Sequence, residues 1–226
     1  MTYYIAGIHI THARGIESIV ATSTVAMMAF ALRDTAKARK KAEKEGGEIT
    51  AGPKTLMEKL ITPIHAIAVM AAPLSYLVGV FTNGMEQPEW YAQTAFDLPL
   101  SIRALAWTRT AACVGVLGSA WALRVILRTL DKQFHFIGPR ERSELVSSGP
   151  FAIVRHPLYS SALVNLSFLS VAFWSWTPLV SLVLCLGAFV YKIPIEERLM
   201  IEDRAMGPAY VAYTKKVPYR LIPYIW

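Results

Sequence analysis

Five apolar segments along the chain approach the roughly 20 helical residues needed to cross a hydrocarbon core about 30 Å thick. Gly15 to Leu32 carries Glu17 near one end. Leu60 to Thr82 has no formal charge and holds Pro63 and Pro73, which are expected to kink it. Ala104 to Leu127 carries Arg109 and Arg124. From Pro157 to Tyr191 no residue is charged, and Trp174-Ser-Trp-Thr-Pro178 punctuates that run as a turn between two helices. The pattern predicts an all-α polytopic membrane protein with about five transmembrane helices, the last two a helical hairpin. The 35 residues of that hairpin rise only about 52 Å, less than two perpendicular crossings need. Its ends should therefore be drawn toward the bilayer surface.

The polar connections supply orientation. Lys plus Arg number eight from Arg33 to Lys59, one from Asn83 to Arg103, five from Arg128 to Arg155 and six from Lys192 to Arg220. This alternation follows the positive-inside rule. With five spans it places the amino terminus outside or in the lumen, and gathers the first loop, the 128–155 loop and the carboxyl-terminal tail on the cytosolic side. The first loop, running from Lys37 to Gly47, reads as a solvated helix extension that ends at Gly46 and Gly47. No internal repeat breaks the chain, so it is taken as one membrane domain, 1–226, with three spans in 1–127 and the remainder in 128–226.

Composition agrees with a membrane protein: 54% of residues are hydrophobic and 17% charged, with a mean hydropathy of +0.37. The net charge of +7 is accounted for by topology, and without an aromatic-basic groove signature it does not indicate nucleic acid. Cys113 and Cys185 lie inside apolar segments, too few for a disulfide framework or a zinc site. The amino terminus lacks the features of a cleaved signal.

Nucleotide-binding signatures of the Gly-rich type are absent. His9-x-x-His12 has metal-like spacing but no third ligand, so no metal is expected. Gly115-x-x-x-Ser119 reads as a small-residue packing face, and His65 as a hydrogen-bonded packing histidine. Arg109 and Arg124 are candidates to snorkel to opposite surfaces, and Glu17 is within plausible reach of Arg109.

The stretch from Leu145 to Tyr159 compresses several chemically capable residues just before a span. Gly149-Pro150 forces a turn, and Pro157 suits the first helical turn, which leaves His156 at a helix start where free N–H groups favour an anion. Arg155 adds charge and Tyr159 a hydroxyl or ring face. An interfacial belt of anchors explains the same residues equally well. Further on, Lys192 and Glu196 stand four apart and share a helix face if the turn survives Pro194. Spacing alone favours a solvated helix extension there. The tail holds Tyr210, Tyr213, Tyr219, Tyr224 and Trp226, enough aromatic surface to fold back as a cover.

From about Phe134 to Trp226, about 40% of the chain, these residues resemble the isoprenylcysteine carboxyl methyltransferase family of integral membrane enzymes. The elements are Leu145-Val-Ser-Ser-Gly-Pro-Phe151, Arg155-His-Pro-Leu-Tyr159, the charge-free hairpin, Glu196-Glu197, Gly207-x-x-Tyr210-x-x-Tyr213 and Val217-Pro-Tyr-Arg-Leu-Ile-Pro223. The first three spans resemble the family only in hydropathy and position. The resemblance implies S-adenosylmethionine as cofactor, with 128–226 as the catalytic region. It assigns cofactor binding to Ser143, Glu144, Leu145, Val146, Phe151, His156, Pro157, Tyr159, Glu196 and Glu197. Lys192 takes the place of an arginine associated with the substrate carboxylate, keeping the charge and losing the two-pronged fork; Arg155 is its candidate helper. Phe151 stands where tyrosine is common, and Ser161 where glycine is. The implied substrate is a lipophilic carboxylate, a prenylated cysteine or the end of a prenylated protein, met at the membrane surface among lipids, and the implied location is the endoplasmic reticulum.

Three other readings compete. The ending Val217 to Trp226 is also similar to the tails of membrane sterol reductases, which bind NADPH. Phospholipid amine methylation would need a base to deprotonate an ammonium. A non-catalytic membrane scaffold needs only the spans, and leaves the clustered polar residues without a role.

Overall fold

The computed structural model describes residues 3–5, 8–135 and 137–226; the side chains of 3–5 and 8–10, and with them His9, lie outside what is described. A short antiparallel pair, β1 (Tyr3–Ile5) and β2 (Ile8–Ile10), precedes seven helices. These are α1 (His12–Glu45), α2 (Leu56–Thr82), α3 (Glu89–Ala92), α4 (Ile102–Leu130), α5 (Pro157–Phe173), α6 (Thr177–Glu202) and α7 (Gly207–Lys216). α1, α2, α4 and α6 are long and apolar enough to cross a membrane, and the protein is an integral membrane protein. α5, at 17 residues, is shorter than that measure, so a fifth full crossing is not established.

Local chemistry sets the helix ends. Thr11 caps α1 by accepting from Arg14 N, and α1 then runs past the membrane-length segment to Glu45, where Gly46 caps it and Gly47 turns the chain at φ 78°. The extension expected for the first loop is therefore present. Thr55 and Glu58 form a reciprocal capping box at the start of α2. Glu58 also accepts from Arg198 at 2.9 Å, which ties the start of α2 to the end of α6. Pro63, Pro73 and Pro194 are all accommodated within unbroken helices.

α1 packs on α4, α4 on α5, α5 on α6, and α6 on α2, while α1 and α2 barely touch. The faces pointing away from the bundle are apolar: Ile67, Trp107, Val114, Trp121 and Val183 are all more than 60% exposed, as lipid-facing positions should be. The turn between α5 and α6 is Trp174 to Trp176, with Trp174 left-handed at φ 56°, and Thr177 and Pro178 already belong to α6.

Arg109 does not snorkel. It is buried in the bundle and forks onto Glu17 at 2.7 and 2.9 Å, while its Nε donates to the Ala172 carbonyl. Tyr76 of α2 donates to the same carboxylate and stacks on Phe173 at 3.8 Å. One paired charge thus joins α1, α2, α4 and α5, because neither ion has water to turn to at that depth. Arg124 meets Asp34 at 2.7 Å nearer the basic end. Gly115 sits against the Phe168 ring and Ser119 hydrogen-bonds Asn165 at 2.7 Å, so the small-residue face packs α4 on α5 as expected. His65 hydrogen-bonds the Ile61 carbonyl and packs against Phe189.

Candidate active site

Two adjacent glutamates on α6 organise the basic end. Pro157 opens α5 at its first position, and His156 precedes it in a non-helical conformation. The tail runs beside this strip: Arg155 N donates to the Tyr219 carbonyl and His156 N to the Arg220 carbonyl, both at 2.9 Å, and Ser160 Oγ donates to Leu221 O at 2.6 Å. With the strip and tail laced together, Glu197 receives Arg155 at 2.7 Å and Arg220 at 2.8 Å. Glu196 receives the Tyr159 hydroxyl at 2.6 Å and faces Lys192 Nζ at 3.5 Å.

The imidazole of His156 bridges the two carboxylates, with Nδ1 3.5 Å from Glu196 and Nε2 3.3 Å from Glu197. Burial works against a charged ring here, but the two acidic partners outweigh it and hold the His156 pKa above its ordinary value. Tyr159 lies parallel to His156 and to Phe189, and Lys192 stands over its ring at 5.2 Å. Lys192 is 1% exposed and Glu196 5%, so the pair is not the solvated helix extension that spacing alone favoured. The hairpin brings α5 alongside α6 at this level and shuts water out.

Two cavities meet at Tyr159. One, of about 100 Å³, lies beneath the tail. The strip Glu144 to Val146 and Phe151 form one wall, Glu196 and His156 the floor, and Met206, Tyr210 and Tyr213 the cover. Tyr213 donates to the Phe151 carbonyl at 2.6 Å, and burial pushes its phenol pKa up to about 12. The other cavity, about 390 Å³ and mostly apolar, lies where α1 and α2 part, with Met27, Met28 and Met70 on its walls and Lys192 at its inner end. Tyr159, Leu158 and His135 line both.

Of the residues expected to hold a cofactor, Glu144, Leu145, Val146, Phe151, His156, Pro157, Tyr159 and Glu196 line the first cavity. Ser143 instead hydrogen-bonds Asp203 at 2.9 Å, and Asp203 also accepts from Met206 N at the start of α7. Glu197 lies behind, in the ion cluster. Lys192 lines the apolar cavity. Arg155 reaches the edge of the first cavity, but its guanidinium is spent on Glu197 and on the carbonyls of Val217 and Pro218.

His135 escaped the sequence reading. It is half-buried, its Nδ1 is closed off with no hydrogen-bond partner among the described residues, and burial lowers its pKa to about 4. The available signal was an imidazole a few residues past the third span and before the Gly138-Pro139 turn.

Comparison with known proteins bears on the same part of the chain. A family described as phospholipid methyltransferase matches residues 107–211. Protein-S-isoprenylcysteine O-methyltransferase B of Arabidopsis thaliana is 26% identical over 173 residues, covering 73% of this chain and 76% of the relative. Over these stretches the chain is similar to membrane methyltransferases. The match begins within α4 and ends within α7, so it takes in the residues that line the cavity under the tail except Tyr213. The resemblance to the isoprenylcysteine carboxyl methyltransferases therefore stands on the comparisons as well as on the motifs. A reductase or scaffold reading finds no support in either match.

Proposed function

We propose that the protein transfers a methyl group from S-adenosylmethionine to the carboxylate of a lipophilic, prenylcysteine-type substrate at the basic face of the membrane. The observation that carries this reading is the meeting of two cavities along Tyr159, Leu158 and His135, one under the tail with the charged groups of Glu196 and His156 in its lining, the other apolar and set among the spans.

The donor set of the first cavity suits an adenosyl cofactor: a buried carboxylate at Glu196, the unpaired imidazole nitrogen of His135, and aromatic faces from Phe151, Tyr210 and Tyr213. Small-molecule sites commonly enclose roughly 300–1,000 Å³, well above the volume here, so α7 must move away from the Glu144–Val146 strip to admit it. The chemistry that S-adenosylmethionine supplies when bound is an electrophilic methyl on a sulfonium; a carboxylate oxygen takes it as the C–S bond breaks, giving a methyl ester and a neutral thioether.

The chain's own residues then have plain tasks. Glu196 binds the cationic or hydroxyl-bearing part of the cofactor, and His156 and Tyr159 fix its carboxylate. Phe151, Tyr210 and Tyr213 exclude water, which matters because the reaction needs alignment more than proton transfer. No strong general base is required, since the acceptor is already ionised near neutrality. Lys192 orients the acceptor from the apolar side, where methionine-rich walls suit a prenyl chain. Arg155, expected to assist it, serves through Glu197 by holding the tail over the cavity. The cofactor enters from water and the acceptor sideways from the bilayer. An endoplasmic-reticulum membrane, with the amino terminus lumenal and the tail cytosolic, is the setting.

Amine methylation fits less well. Lys192 lines the apolar cavity and no carboxylate among the described residues does, so a donor is at hand for an acceptor carboxylate and no acid to receive the proton of an ammonium. Calorimetric titration of purified protein with S-adenosylmethionine and with NADPH tests the class: heat from the first alone is expected, and heat from the second alone overturns the reading. Methyl-ester formation on a farnesylated cysteine tests the acceptor. Glu196→Gln and His156→Ala should abolish cofactor binding while leaving the protein folded; unchanged affinity in both rejects the site.

A further inference from the structure

A third pocket, of about 390 Å³, opens between α1 and α4 at the basic end of the bundle, apart from the two cavities above. Its walls are charged. Arg124 pairs with Asp34 at 2.7 Å and Lys41 with Asp131 at 2.5 Å, so both acids that line it are already neutralised. Arg33, Lys37 and Arg128 line the same pocket and have no acidic partner within ion-pair distance among the described residues. Three uncompensated cations around one concavity repel each other, and the arrangement lowers its energy by taking up an anion.

The level of the pocket in the membrane narrows the choice. Leu32 is 62% exposed and immediately precedes Arg33; Trp121 is 69% exposed and lies one helical turn before Arg124. Apolar, lipid-facing side chains thus abut the cationic pocket along both helices, and an occupant resting there has acyl chains on one side and a charged group on the other.

We propose that the cleft between α1 and α4 binds the phosphate of an anionic phospholipid headgroup, with Arg33, Lys37 and Arg128 as its ligands. Arg33 and Arg128 offer forked donors matched to phosphate oxygens, and Lys37 adds a point charge. The site depends on neither the cofactor cavity nor the acceptor cavity, and it stands or falls separately from the methyl-transfer reading. It sits on α1, where the helix also walls the apolar cavity with Met27 and Met28.

The test uses the full chain in detergent, titrated by native mass spectrometry and thermal shift with dioctanoyl phosphatidic acid, dioctanoyl phosphatidylcholine or inorganic phosphate. Retention of the phosphatidic acid over the phosphatidylcholine is expected. The Arg33→Gln/Lys37→Gln/Arg128→Gln variant should lose roughly a hundredfold in that affinity, about fivefold per charge removed near a membrane surface. These three side chains are exposed and unpaired, so folding should be preserved. Lys40→Gln/Lys44→Gln/Lys54→Gln removes the same charge outside the cleft and should leave affinity within about twofold. Equal retention of the two lipids, or equal loss in the two triple variants, overturns the site. Competition by inorganic phosphate at matching concentration supports the same ligands and identifies the free ion, not the lipid, as occupant.

Discussion

The hydroxyl of Tyr159 donates to Glu196 across the α5–α6 interface at 2.6 Å, in the wall that the two cavities share. Tyr159 therefore positions the carboxylate assigned to the cofactor while its ring closes off the apolar side. Hydrogen bonds to a charged group contribute about 1.5–3 kcal/mol. Tyr159→Phe should weaken S-adenosylmethionine binding by roughly tenfold to a hundredfold with little change in fold, and Glu196→Gln should weaken it further. Calorimetry on both variants measures the order; a phenylalanine variant that binds like the parent removes Tyr159 from this role.

His156 gives the basic end a pH dependence whose sign follows from its raised pKa. Its ion pairs contribute fully below the ordinary imidazole value of 6.5, and the contribution fades as pH rises through the higher folded value. The thermal stability of the region should thus decline above pH 6.5. His135 runs the other way: neutral when folded, with a pKa of about 4, it contributes fully above 6.5 and loses that contribution as pH falls toward 4. Thermal melts of His156→Asn and His135→Asn across pH 4 to 9, a span set by ordinary histidine titration, should each flatten one side of the profile.

Under the proposed reading, Lys192 separates acceptor from cofactor. It lines the apolar cavity and not the one under the tail, so Lys192→Met should reduce kcat/KM for a carboxylate acceptor by roughly a hundredfold while cofactor affinity changes by less than about threefold. Lys192→Arg should retain more activity than Lys192→Met. Steady-state kinetics beside a binding isotherm read the split; parallel losses in both would mean that Lys192 serves the cofactor.

The buried pair of Glu17 and Arg109 invites a double substitution. Arg109→Met strands the Glu17 carboxylate with only Tyr76 for a partner and should cost about 3–5 kcal/mol, visible as a lower Tm in detergent. Glu17→Met/Arg109→Met removes both charges and should recover most of that loss. A double variant no better than the single would show that the network holds the helices by shape more than by charge.

How far the sequence carried this description depends on whether a feature is local. Four of the five expected spans, the glycine end of α1 and Pro157 at the start of α5 follow from runs of a few residues and are found where those runs place them, while the fifth apolar run forms a helix of only 17 residues. Lys192 and Glu196 carried the right spacing and the wrong environment, because burial at the end of α6 is imposed by α5 and the tail, which no periodicity within α6 reports. Arg155 stood beside the motif residues, yet its guanidinium turns to carbonyls more than sixty residues away. His135 lies outside any repeating pattern, so only the neighbours assembled by the fold reveal its unpaired nitrogen. Glu17 and Arg109 were legible as a possible couple because charges inside apolar runs have few alternatives.

The brevity of α5 reaches beyond the site. Its 17 residues span about 26 Å, with Arg155 and His156 at one end and Trp174 and Trp176 at the other. That reach suits a thin membrane such as the roughly 27 Å endoplasmic reticulum and falls several Å short of a sterol-rich plasma membrane. A crossing by so short a helix would tie the proposed site to bilayer thickness: longer acyl chains or added sterol would press the helix, and the glutamates beside it, away from the surface where a soluble donor would arrive.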